Sequence, residues 1–198
     1  MHKLVLLNST TVDLLDTPAS SRTIDLDSPA LEVFTDFHQV PPVTIDQGAG
    51  VDRVRAVMLA AHVRLLLVAD DLGRCLGAIG LDDISEQRVI REVSQGFRRD
   101  ELVARDFMRP RSSLRSFDYE ELAAACISDV VTALENSGER HCLVLDQQLG
   151  RIRGIISASD VARTLRVPVR LDKAPSFAQI VAALQHQLNP SVPLAQFA

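Results

Sequence analysis

One pattern occurs twice in this chain, and a chain built on a duplicated unit has few folds open to it. Gly77-Ala78-Ile79-Gly80-Leu81-Asp82-Asp83-Ile84 aligns with Gly154-Ile155-Ile156-Ser157-Ala158-Ser159-Asp160-Val161, seventy-seven positions later. Gly73-Arg74 aligns with Gly150-Arg151, and residues 64–70 align with 140–146 after a shift of one position. A repeat of this length is one supersecondary unit used twice. The second copy of the motif is the fuller one. Ile155 and Ile156 suit a buried strand, Ser157 suits a helix N-cap, and Asp160 falls in the first turn, where an acid complements the helix dipole.

Each copy reads as strand–helix–strand–strand–helix. In the first, Val33-Phe34-Thr35 is a short apolar strand, and Pro41-Pro42 breaks the chain before Val43-Thr44-Ile45. Val51, Val54, Val57, Met58 and Ala61 fall at helical spacing. Residues 65–69 form a buried strand, 70–73 a turn and 75–79 the returning strand of a hairpin. A second helix is expected from about Asp82 up to Gly96, and Arg98-Arg99-Asp100-Glu101 is a connector.

In the second copy, Phe107-Met108-Arg109 corresponds to Val33-Phe34-Thr35. Residues 118–125 read as an inserted helical turn or two. Ser128 is the expected N-cap of the next helix, and Gly138 its stop. The hairpin follows at 143–145 and 152–156, and the closing helix ends before Pro168. A last helix begins after Pro175, with Ser176 and Gln179 placed for a capping box. It serves as a packing element or a dimer contact. The expected organisation is an N-terminal arm at 1–29, a first repeat at 30–100, a second at 101–168, and a C-terminal helix and tail at 169–198. One copy alone has only a three-stranded sheet and two helices, a marginal core. The two are therefore expected to pack about a pseudo-twofold axis, as an α/β (α+β) fold with two related clefts between them.

Composition narrows the function. A formal net charge of −5 argues against a broad hold on nucleic acid or an anionic membrane. Three cysteines without a C-x-x-C pair fit reduced thiols and a cytoplasmic location. The apolar run at 4–7 is too short for a secretory signal, and no stretch reaches the length of a membrane span. The five histidines are scattered, and no H-E-x-x-H, P-loop, G-x-G-x-x-G or G-x-S-x-G pattern occurs.

Order, spacing and duplication together resemble the tandem CBS module, named after cystathionine β-synthase. The resemblance covers about residues 30 to 166. It rests on the glycine-bearing hairpins, on the terminal motif Gly154-Ile155-Ile156-Ser157-Ala158-Ser159-Asp160, and on Val33-Phe34-Thr35 ahead of a Pro-Val-Thr-Ile segment. It implies a stand-alone regulatory module that binds an adenosine-containing ligand such as AMP or ATP between its repeats. No cofactor is required, and the signal passes to an unknown protein target. It also implies a homodimer.

Carried over by residue, the resemblance assigns Asp160 to the ribose hydroxyls and Ser157 to ribose or phosphate. A carboxylate can accept two O–H bonds from a vicinal diol, and charge-assisted bonds are the strong ones. Ile156 closes the same motif. Arg64 and Arg140 stand where phosphate-reaching cations are found, and they also suit solvated positions near a helix C-terminus. His141 is either a phosphate contact or an edge residue of its strand. Val33, Phe34 and Thr35, with Phe107, Met108 and Arg109, are candidate adenine walls, and core packing suits them equally. The first repeat keeps Asp83 but has Gly80 in place of the hydroxyl, so the expected clefts are unequal. Asp160's cleft is the expected nucleotide site, with Arg140 as its phosphate partner. An alternative is an interaction or dimerisation module with unused clefts. An enzyme is disfavoured, because Asp82 and Asp83 are adjacent and no cysteine has a base in view.

Overall fold

The computed structural model describes residues 23–168 and 175–188. After a short 3-10 turn at Ala30–Val33 come β1 (Phe34–Asp36), β2 (Thr44–Asp46), α1 (Val51–Ala60), β3 (Leu65–Ala69), β4 (Cys75–Gly80) and α2 (Glu86–Ser94). Then follow α3 (Ala104–Phe107), β5 (Arg109–Pro110), β6 (Ser116–Asp118), α4 (Tyr119–Ala124) and α5 (Ile127–Leu134). The chain continues through β7 (His141–Asp146), β8 (Arg151–Ser157), α6 (Ala158–Thr164) and α7 (Phe177–Leu188). Residues 1–22 of the arm expected at 1–29, residues 169–174 and the tail beyond 188 lie outside the described residues.

The repeats exchange their first strands. One four-stranded sheet runs β1-β8-β7-β6 and the other β2-β3-β4-β5. Thus β1 of the first repeat pairs antiparallel with β8 of the second, and β5 of the second pairs antiparallel with β4 of the first. The crossing begins upstream of the strands. Ala30 N–H donates to the Ala125 carbonyl and Ile127 N–H to that of Ser28, while Ala104 N–H donates to Ala49 and Val51 N–H to Leu102. The expected three-stranded sheet per copy is therefore corrected: each sheet borrows its fourth strand from the other repeat.

Glycine makes the exchange fit. A Cβ at Gly154 would collide with the Thr35 carbonyl and the Phe34 ring, and one at Gly77 with the Arg109 carbonyl. The crossing strands lie on the backbone itself. On β1 the crossing is also bolted by charge. Arg153 donates to both carboxylate oxygens of Asp36 at 2.8 Å and stacks 4.5 Å over the Tyr119 ring. This guanidinium holds the Asp36 carboxyl well below the usual carboxylate range.

Strand alternation then sorts the core. Leu66, Val68 and Ile79 face α1 and the turn before α2, with Val54, Met58 and Ile84. Cys142, Val144 and Ile156 face α5, α6 and α7, with Val130, Val161 and Phe177. The opposite faces of the two sheets meet at Leu67, Ala78 and Leu143, backed by Leu65, Leu145 and Ile155.

Three local expectations are corrected, and one strand is additional. α2 starts at Glu86, not near Asp82. Cys126 caps α5 in place of Ser128, because Asp129 reaches back to the Cys126 N–H at 2.9 Å. That helix ends at Leu134, well before Gly138. β6 had no apolar run to announce it; parallel pairing with β7 holds it. The Ser176–Gln179 capping box is present, with the Ser176 N–H 2.9 Å from the Gln179 Oε1.

Gly154→Ala is expected to destabilise the fold by about 1–3 kcal/mol, since overpacking against backbone is hard to relieve. At Gly138 a Cβ meets nothing within 4 Å, so Gly138→Ala should stay within about 0.5 kcal/mol of the parent. Urea titrations compare the two, and equal midpoints would contradict this account of the crossing.

Candidate functional site

At the end of β8 the Ser157 Oγ accepts the Asp160 N–H at 3.0 Å, which starts α6 directly. The cap leaves the Ser157 O–H free to donate elsewhere. The Asp160 carboxylate pairs with Arg163, whose side chain is 77% exposed. At the end of β4 there is no hydroxyl. Asp83 turns its own carboxylate back to the Gly80 N–H at 2.8 Å and takes Arg88 on its other oxygen at 2.8 Å. Without a side-chain cap at Gly80, the helix is delayed until Glu86.

A cleft of about 350 Å³ opens over Ser157 and Asp160. Its polar groups include Thr35, Arg64, His141, Ser157, Asp160 and Arg163, and its apolar wall includes Pro41, Pro42, Val43, Val63, Leu65 and Ile155. Thr35 arrives on the crossing strand. Val63 and Arg64 arrive from the C-terminal end of α1, where His62 takes a left-handed φ of 53° and lets the Val63 N–H close on the Met58 carbonyl. A second cleft of about 210 Å³ lies over Gly80, Asp82 and Asp83, with Arg64, Arg109, Arg140 and His141.

The expected site residues divide accordingly. Ser157, Asp160, Thr35, Arg64 and His141 share the larger cleft, while Asp83, Arg109 and Arg140 share the smaller one with Arg64 and His141. Arg140 is a correction. It does not line the Asp160 cleft but pairs with Asp82 in the other. The reason is the twofold crossing: each cleft combines the β-to-α turn of one repeat with the β3 or β7 entrance of the other.

Val33, Phe107 and Ile156 are also corrected. They are 3%, 2% and 0% exposed, inside the two cores, and strand alternation puts Ile155 into the cleft instead of Ile156. Phe34 packs on the core of the second repeat beside Tyr119, and Met108 on that of the first. Neither lines either of these two clefts. The wall at Pro41–Val43 and Val63 was missed. Its only sequence signal is the extended proline segment leading into β2.

His141 stands between the clefts. Burial, with Arg109 and Arg140 nearby, drives its pKa down to about 4, against a smaller opposing pull from Asp160. It is a neutral imidazole at pH 7.

Residues 32–89 match the family model of the CBS domain. No curated protein is significantly similar to the chain. Among solved structures, an uncharacterised conserved protein from Pyrococcus horikoshii is 18% identical, with a TM-score of 0.55 over 74% of this chain and 98% of that one. A conserved CBS domain protein of unknown function from Thermoplasma acidophilum is 21% identical, with a TM-score of 0.50 over 77% of each chain. CBSX2 in complex with AMP is 19% identical, with a TM-score of 0.50 over 69% of this chain and 94% of that one. At these identities the likeness shows a shared fold.

A histidine with a depressed pKa makes the unfolded state the better proton acceptor between about pH 6.5 and 4. Stability should therefore fall as pH drops through that window, by up to about 3 kcal/mol. His141→Gln should flatten the curve there. Urea unfolding of both proteins at pH 7, 6, 5 and 4 checks it, and parallel curves would refute the assignment.

Proposed function

Because the chain contains a CBS domain, we propose that it is a regulatory module taking an adenosine-containing ligand in the larger cleft. CBS domains are regulatory, and the similar fold of CBSX2 is seen with AMP bound. One observation carries the reading: Ser157 and Asp160 face the same 350 Å³ cleft as an apolar wall and Arg64. The size is within the roughly 300–1,000 Å³ usual for small-molecule sites. Asp160 accepts both hydroxyls of the ribose, giving up an ion pair with the largely exposed Arg163 that is of little worth in water. Ser157 keeps its cap and donates its O–H. Adenine lies against Pro41, Val43, Val63 and Ile155. Arg64 and neutral His141 meet the first phosphate.

The reading includes no chemical step. Asp82 and Asp83 are held by Arg140 and Arg88. The output is to another protein surface, and the exposed stripe of Ile90, Val93 and Phe97 on and after α2, 61%, 41% and 53% accessible, supports a homodimer. Light scattering at micromolar concentration is expected to give a dimer, and Ile90→Glu with Phe97→Glu a monomer. A parent that is only monomeric would remove this element of the reading.

Asp160→Ala is expected to weaken AMP binding about tenfold or more, because charge-assisted hydrogen bonds to the ribose are lost. Asp83→Ala should change it far less. Calorimetry on the parent and both variants tests this. Binding abolished by Asp83→Ala and kept by Asp160→Ala would place the nucleoside in the other cleft. Absence of any adenine nucleotide binding by the parent would overturn the reading.

A further inference from the structure

We propose that the smaller cleft is not a second nucleoside site but the phosphate subsite of the same ligand, so that the module selects nucleoside di- and triphosphates over monophosphates. The inference rests on the nucleoside reading of the larger cleft.

The two cavities are joined. Arg64, Leu65 and His141 line both, so a ligand that reaches Arg64 from the larger cleft stands at the mouth of the smaller one. The smaller cleft is too small for a nucleoside and has the wrong groups for one. At about 210 Å³ it falls below the usual range for small-molecule pockets. Gly80 supplies no hydroxyl. Both oxygens of Asp83 are taken, by the Gly80 N–H and by Arg88, so no acceptor stands ready for a ribose diol.

What the cleft does offer is three guanidinium groups, Arg64, Arg109 and Arg140. Its carboxylates Asp82 and Asp83, and Glu139 just outside its lining, are already matched. Asp82 holds Arg140, Asp83 holds Arg88, and Glu139 holds Arg109 at 2.6 Å. Among the described residues Arg64 forms no ion pair. The Asp82 side chain is 62% exposed, so its hold on Arg140 is weak and readily exchanged. A phosphate offers the planar fork of arginine a bidentate, doubly charged acceptor, which one exposed carboxylate does not match. The α-phosphate would sit by Arg64 and His141, and the β-phosphate by Arg140 and Arg109.

Calorimetry of the whole chain with AMP and ADP, in EDTA at fixed ionic strength, tests the assignment. We expect one nucleotide per chain and ADP bound at least about tenfold tighter than AMP. Arg140→Gln should abolish the ADP advantage and leave AMP affinity unchanged, and inorganic phosphate, which fills only the β-phosphate position, should compete with ADP but not with AMP. AMP bound as tightly as ADP, two AMP molecules per chain, or equal weakening of both by Arg140→Gln would overturn the inference. In each of those cases AMP binding that is lost in Asp160→Ala leaves the nucleoside reading standing. No adenine nucleotide binding at all overturns both.

Discussion

The structure depends on two places where one backbone lies directly on another. Thr35 crosses Gly154 and Arg109 crosses Gly77, with no room at either for a Cβ. Each repeat thereby completes the other's sheet. A three-stranded sheet with two helices buries too little apolar surface to stand alone. Exchange adds a fourth strand to each and makes the two cores interdependent. It also creates the clefts, since each is lined by one repeat's turn and the other repeat's strand entrances. No cleft belongs to a single repeat, and a ligand in either contacts both.

A single side-chain difference then breaks the symmetry. With a hydroxyl at Ser157, the backbone at Asp160 is capped by serine, and the carboxylate is left to the cleft and to an exposed arginine. With Gly80, the carboxylate of Asp83 is drawn back to satisfy a backbone N–H. An orphaned N–H near a buried strand end costs more than an exposed ion pair returns, so the acid takes the structural role. On the proposed reading, the departure at Gly80 thus removes two ribose contacts, not one.

The duplication, the hairpins, the apolar stripe of α1 and the caps at Ser157 and Ser176 were legible in the sequence, because each is decided within a few residues. The strand exchange was not. Pairing of β1 with β8 joins residues more than a hundred positions apart, and nothing in Phe34-Thr35-Asp36 states its partner. The misplacement of Arg140 follows from that one gap, since an uncrossed arrangement puts it beside Asp160. Ile156 and Ile155 look alike in sequence, and only the pleat decides which is core and which is cleft. β6 is invisible for a similar reason: Ser116-Phe117-Asp118 becomes a strand because β7 offers it an edge.

The seam between the sheets carries the remaining consequence. Among the described residues its buried part is Leu67, Ala78 and Leu143, whereas each outer core is larger and closed by helices. Dry packing therefore fixes each half more firmly than it fixes the halves to one another. Polar groups at the cleft make up the difference: Arg140 with Asp82 spans the two repeats, and Arg109 with Glu139, both of the second repeat, ties the exchanged strand β5 in one sheet to the entrance of β7 in the other. These are the contacts that an anionic ligand would exchange. On the proposed reading, ligand chemistry acts where the apolar seam is thinnest, and the crossed strands limit the response to a small shift of one sheet on the other. The helices that cover the outer faces, including the exposed stripe of α2, would carry that shift to the surface.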